Sequence, residues 1–184
     1  VVEFTNGNGD VVPAKFTSGK LTITDAPAKS LNLYVRDTMV EGGAEFCIPI
    51  RVDNFNCVQN FQFSIKFDST KLKFKRVSGF GLPALGANNF NIVKDSIRVT
   101  WDAQTGPQDL PNGGNLFSVC FESKLLSAPD CPFDTRLLFT DLLGSPMEFS
   151  DCNSNNFSII KGEPDFTVKC PSVITPMMEK LTLP

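Results

Sequence analysis

Apolar and polar residues alternate most regularly between Phe46 and Leu72. Phe46, Ile48, Ile50 and Val52 occupy every second position, and Phe61, Phe63, Ile65 and Phe67 do the same after a short loop. A period of two places each set on one face of a strand, so the stretch predicts two half-buried antiparallel strands. Leu31, Leu33 and Val35 predict an earlier strand over 31–36, followed by a turn at Glu41-Gly42-Gly43. Leu72 and Phe74 alternate with Lys71, Lys73 and Lys75, a lysine row that reads as protection of an edge strand. Further strands are expected at 90–93, 97–101, around Phe117, Val119 and Phe121, at 137–140 and at 157–160. Turn-rich loops at 79–89 and 102–115 separate them, and no segment has helical periodicity. Short strands at this spacing predict an antiparallel sandwich or jelly roll.

The first 25 residues stand apart. Val1–Thr5 and Lys20–Thr24 are β-like, with Asn6-Gly7-Asn8-Gly9-Asp10 between them, and together they predict an N-terminal β-hairpin. Val2-Glu3-Phe4-Thr5-Asn6 is similar to Leu137-Leu138-Phe139-Thr140-Asp141, and Lys20-Leu21-Thr22-Ile23 to Asn156-Phe157-Ser158-Ile159, both at an offset of about 135 residues. Recurrence at a domain-sized interval suggests tandem modules. Residues 1–25 then form the last hairpin of a preceding repeat, 26–165 a complete module, and 166–184, with Pro171, Pro176 and Pro184, an extended linker toward the next. The alternative is one larger sandwich whose first strands resemble a later hairpin.

Composition narrows the chemistry. The chain of 184 residues has no histidine, which removes Ser-His-Asp and Cys-His nucleophiles and His-ligated zinc. A formal net charge of −3 speaks against a nucleic-acid surface. No apolar run is long enough to span a membrane, and no signal peptide is visible, although one could already have been removed. Cys47, Cys57, Cys120, Cys131, Cys152 and Cys170 are even in number and contain no C-x-x-C pair, so disulfides in an oxidising compartment are expected, against buried thiols as the alternative. A catalytic carboxylate pair would have to come from Asp68, Asp102 and Asp109. Asp68 is better read as the start of a turn, while Asp102 and Asp109 share a loop and are weak candidate ligands for calcium, which would be the one cofactor. No enzyme is expected.

The order CIPIRV, FQFSIKFDSTKLKF, SIRVTWDAQTG, a Gly-rich loop and LFSVCFES resembles a cohesin-like domain, of the type found in large secreted, tandem-repeat surface proteins of Bacteroidota. The most specific pieces are Phe67-Asp68 before Leu72 and the segment 116–121 after Asn112-Gly113-Gly114; Ser69 departs from the proline usual there. The resemblance implies an all-β, antiparallel jelly-roll β-sandwich of about nine strands, in which 46–52 and 116–121 are neighbours. It further implies a cross-strand Cys47–Cys120 disulfide, and favours Cys57–Cys152 and Cys131–Cys170 among the 15 connectivities that six cysteines allow.

The leading expectation is a non-enzymatic structural or adhesive module of a large extracellular repeat protein or fibre, secreted or at the cell surface. It would assemble with other modules of the same protein or with identical chains. The alternative is a protein-binding cohesin-type module docking a dockerin-like partner, for which the resemblance points to the outward residues Gln62, Ser64, Lys66, Arg98 and Thr100. Those residues also suit a plain solvated face. Carbohydrate binding would need an exposed aromatic platform, and Trp101 and Tyr34 are both placed facing inward.

Overall fold

The computed structural model describes residues 4–5, 11–12, 29–125, 129–142, 144–163 and 165–171. Strands β1 (Phe4–Thr5) and β2 (Val11–Val12) form a separate two-stranded antiparallel ribbon. The described partner of the first run is Val11–Val12, with Phe4 opposite Val12, and the expected second run, Lys20–Thr24, lies outside the described residues.

The remaining strands are β3 (Ser30–Tyr34), β4 (Met39–Glu41), β5 (Glu45–Asp53), β6 (Val58–Lys66), β7 (Leu72–Ser78) and β8 (Phe90–Val93). They continue as β9 (Ser96–Asp102), β10 (Gly114–Ser123), β11 (Phe133–Thr135), β12 (Leu138–Thr140), β13 (Glu148–Asp151), β14 (Ser158–Gly162) and β15 (Phe166–Lys169). One sheet has the order β14-β3-β5-β10-β7; the facing sheet runs β6-β9-β8, with β12 and β13 sharing the other edge of β6. A small third sheet, β11-β15-β4, completes the fold. Most pairs are antiparallel, but β14 runs parallel to β3 and β15 parallel to β4, because the end of the module returns alongside its beginning. The result is an all-β jelly-roll sandwich.

Alternation explains the core. Ile48, Ile50 and Val52 of β5 and Phe117, Val119 and Phe121 of β10 are buried, facing Phe61, Phe63 and Ile65 of β6 and Ile97, Val99 and Trp101 of β9. Phe63 is at the centre, with ring centroids of Phe61, Phe149, Phe139 and Phe117 at 5.8, 5.6, 6.1 and 6.2 Å. Burial of each such ring contributes about 1.5–3 kcal/mol. A register shift between Asn115 and Phe117 lets β10 bury the consecutive residues Leu116 and Phe117.

Trp101 is buried as expected, 5.1 Å from Phe61 between centroids, and its indole N–H donates to Pro83 O at 3.0 Å. Tyr34 is a correction: it alternates with buried Leu33 and Val35, faces outward half-buried, and its hydroxyl is 3.2 Å from Asp53 Oδ1. A second difference concerns the C-terminal segment. Phe166–Lys169 is a strand with Phe166 and Val168 in the core, so the extended tail cannot start at 166.

Lys73 and Lys75 of the lysine row lie on β7, at the edge of the first sheet, and Lys71 in the turn before it. Lys75 pairs with Glu122 at 2.9 Å and Arg76 with Glu45 at 2.7 Å, across to β10 and β5. Such exposed pairs contribute little stability, and the row serves to keep the edge from recruiting another strand.

Candidate protein-binding face

The outer face of β6 and β9 is a regular polar surface. Their antiparallel register sets Gln62 opposite Thr100, Ser64 opposite Arg98 and Lys66 opposite Ser96. β8 extends the face with Asn91 beside Arg98, and β12 with Thr140 beside Ser64. Every inward neighbour on β6 and β9 is anchored in the core, so the backbone under these side chains is rigid.

The five residues expected to form this face are indeed brought together, but they are not equivalent. Lys66 and Thr100 are exposed, Gln62 and Arg98 half-buried, and Ser64 is only 2% exposed. Ser64 is the correction here, since its short side chain lies between the longer Arg98 and Thr140 and has no surface to offer a partner. The Gln62 amide is 3.2 Å from Glu148 Oε2, which ties it to β13. Lys66 and Arg98 form no ion pair among the described residues, although Asp95 and Asp141 lie nearby. A shallow depression of about 590 Å³ lined by Ser64, Lys66, Lys94, Asp95, Ser96 and Arg98 occupies one end of the face. A second, of about 520 Å³, continues past Lys66 to Asp68, Lys71, Asp134 and Arg136.

The sequence reading missed Asn91, Thr140 and Glu148 as members of this face. Asn91 was available from the alternation of β8. Thr140 and Glu148 were not, because they come from two short strands that divide one edge of β6 between them.

The acidic candidates resolve into separate roles. Asp68 starts a turn: its Oδ1 accepts from Thr70 N at 2.9 Å and Thr70 Oγ1 at 2.5 Å, and the Thr70 hydroxyl is the main cause holding its carboxyl below the usual range. Asp109 Oδ1 accepts the Cys57 amide at 2.5 Å, and Asp102 is exposed opposite Asn60 at the end of β9. Among the described residues neither belongs to a group of three or more metal-ligating side chains; the one such group, Glu45, Cys47 and Cys120, is built on disulfide sulfurs.

Two disulfides are formed. Cys47 and Cys120 are direct cross-strand partners on β5 and β10, with Cα atoms 4.0 Å apart. Both face away from the core, yet Cys120 is fully covered; Ser78 Oγ lies 3.4 Å from its sulfur. Cys57–Cys152 joins the loop before β6 to the turn after β13, with Cα atoms 5.4 Å apart. The third expected bond, Cys131–Cys170, is not closed in the structure, where both residues are thiols. Burial, followed by a hydrogen bond with the Cys170 thiol, pushes the Cys131 thiol up to about 11, so it is protonated at neutral pH.

Neither a family model nor a curated protein sequence matches the chain. Solved structures do. A cohesin in the Coh-OlpC–Doc435 cohesin–dockerin complex of Clostridium thermocellum aligns with TM-score 0.64 and 18% identity, over 81% of this chain and 99% of that one. The cohesin of the Coh-OlpA–Doc918 complex from the same organism aligns with TM-score 0.61 and 17% identity, over 77% and 99%. The fold is cohesin-like. A non-cellulosomal cohesin from Archaeoglobus fulgidus, at TM-score 0.57 and 17% identity, covers 77% of this chain and 91% of its own. At these identities the likeness establishes the architecture alone.

Proposed function

We propose that this chain is a non-enzymatic, cohesin-type protein-binding module that docks a dockerin-like partner on the outer face of β6 and β9. The observation that carries the reading is the pair Lys66 and Arg98, two cations on a rigid polar sheet face with no ion pair among the described residues. Unpaired charge on a flat, pre-formed surface favours a partner of complementary charge and speeds its encounter. Cohesins caught in complex with dockerins among the structural neighbours support the same reading. The two disulfides favour an extracellular setting, secreted or at the cell surface. The sequence recurrence and the separate β1–β2 ribbon favour a place in a larger repeat protein beside other such modules.

The test immobilises the chain and its Lys66→Glu/Arg98→Glu variant and exposes both to secreted proteins of the source organism. A protein partner should be retained by the wild type and bind the variant roughly tenfold more weakly, a loss of about 1.4 kcal/mol. The variant's unfolding midpoint should stay unchanged. Equal retention of the same proteins by both would refute the assignment of this face.

A further inference from the structure

Outside the proposed binding face, the feature the fold has not used is the Cys131 and Cys170 pair. β11 and β15 are antiparallel, with Phe133 opposite Val168 and Thr135 opposite Phe166. Cys131 comes two residues before Phe133 and Cys170 two after Val168, so both flank the same end of that ladder, and the Cys131 thiol is hydrogen-bonded with the Cys170 thiol. Cys47 and Cys120, which are direct cross-strand partners within a ladder, are bonded; Cys131 and Cys170 adjoin the end of one. Cys131 is buried at 3% exposure and Cys170 is half-exposed. The backbone around Cys170 is held: Gly42 N donates to Lys169 O at 2.9 Å, and a Cβ on Gly43 would meet Pro171 Cγ at 2.9 Å.

We infer that Cys131 and Cys170 are a redox latch, open in this structure as a dithiol and closing as a disulfide that ties the C-terminal strand β15 to β11. The latch acts on β15, the last described strand. Closure needs a disulfide oxidant, such as oxidised glutathione or the active-site disulfide of an oxidoreductase. Cys170, the accessible partner, attacks as thiolate; the oxidant's S–S bond breaks, one half leaves as a thiol and the other stays on Cys170 as a mixed disulfide. Cys131 then gives up its proton and attacks the Cys170 sulfur, expelling the second half as a thiol. In total two protein thiols lose two electrons and two protons, and the oxidant's disulfide gains them. The buried and protonated state of Cys131 makes its attack the slow step.

The full chain, held with Cys47–Cys120 and Cys57–Cys152 intact, is incubated with oxidised glutathione. Thiol counting in denaturant and peptide mapping should show two thiols falling to none, with a 131–170 linkage. Amide exchange over 166–169 should slow on closure. Cys131→Ser should keep a glutathione on Cys170, whereas Cys170→Ser should leave Cys131 unmodified. Two thiols persisting in the wild type, a linkage of Cys170 to any other cysteine, unchanged exchange in the closed form, or glutathione on Cys131 in the Cys170→Ser variant would each overturn the latch. The wild-type measurements stand without the variants, so a folding defect in either variant does not shield the proposal.

Discussion

The two closed disulfides interlock in sequence, and removing them one at a time should therefore cost less than their separate loop lengths suggest. Cys57–Cys152 has a separation of 95 residues and Cys47–Cys120 one of 73; closing each alone corresponds to about 4.7 and 4.4 kcal/mol at 25 °C in the chain-entropy treatment. With one bond in place, the other closes a shorter circuit. It runs from residue 57 back to 47, across the bond to 120 and on to 152, a path of about 42 residues corresponding to about 3.9 kcal/mol. Cys57→Ala/Cys152→Ala should thus lose about 4 kcal/mol, and removal of both bonds between about 8 and 9 kcal/mol, comparable to the whole stability of an ordinary domain. The folded state itself should tolerate the first change. Val58 and Gln108 exchange backbone hydrogen bonds at 2.9 Å, and Asp109 still holds the amide at position 57. The assay is denaturant unfolding without reductant, in a common Cys131→Ser/Cys170→Ser background that prevents exchange. The midpoint should drop and the slope rise, because the unconstrained chain exposes more surface on unfolding. A loss below about 1.5 kcal/mol for the Cys57/Cys152 pair would refute the loop-closure reasoning.

Two further outcomes follow from single residues. Asp151, 3% exposed, accepts from Asn155 N and Asn153 N, both at 2.9 Å, and from Lys29 Nζ at 3.3 Å; the Asn155 amide leads in lowering its titration below the ordinary aspartate value. A carboxyl depressed in the folded state stabilises fully above its unfolded value of about 3.9 and loses that contribution as pH falls through the lower folded value. Asp151→Ala should therefore be less stable than wild type at pH 7, with the gap closing on acidification below about pH 4 in denaturant titrations; a gap independent of pH would contradict this. Gly81 donates its N–H to Leu116 O at 2.9 Å, and a Cβ there would sit 2.0 Å from Asn115 O. Gly81→Ala should cost about 3 kcal/mol or more by forcing two backbone segments apart, and a thermal midpoint within 2 °C of wild type, on the scale of about 4 °C per kcal/mol, would contradict it.

The strands marked most sharply in the sequence were those whose partners lie on both sides and whose alternation runs longest. β5, β6, β9 and β10 each bury three or more alternating side chains, so burial imposes a period of two on the residues themselves. β4, β11, β13 and β15, each three or four residues long, carry too few positions for alternation to mark them; β8 and β12, equally short, were legible from their apolar content between turn signals. Met39-Val40-Glu41 and Phe133-Asp134-Thr135 become strands only because β15 runs between them, over 120 residues from the first. Such pairing is decided by where the chain returns, which local propensity cannot encode.

The candidate face shows the same division within one surface. Alternation places Gln62, Ser64, Lys66, Arg98 and Thr100 on the solvent side, and the structure puts all five side by side. Alternation carries no information on who stands next to whom. Ser64 is hidden because its cross-strand neighbours are Arg98 and Thr140, and Gln62 is tethered because β13 brings Glu148 beside it. Of the five, only Lys66, Thr100 and the half-buried Arg98 remain accessible, with Asn91 added from β8. On the proposed reading, a partner is selected by the charge pattern of Lys66, Lys94 and Arg98 set among Asp95 and Asp141 more than by apolar area. Its affinity should accordingly fall with ionic strength, whereas a partner bound through the exposed apolar edge at Phe80 and Ile92 would bind as tightly at high salt as at low.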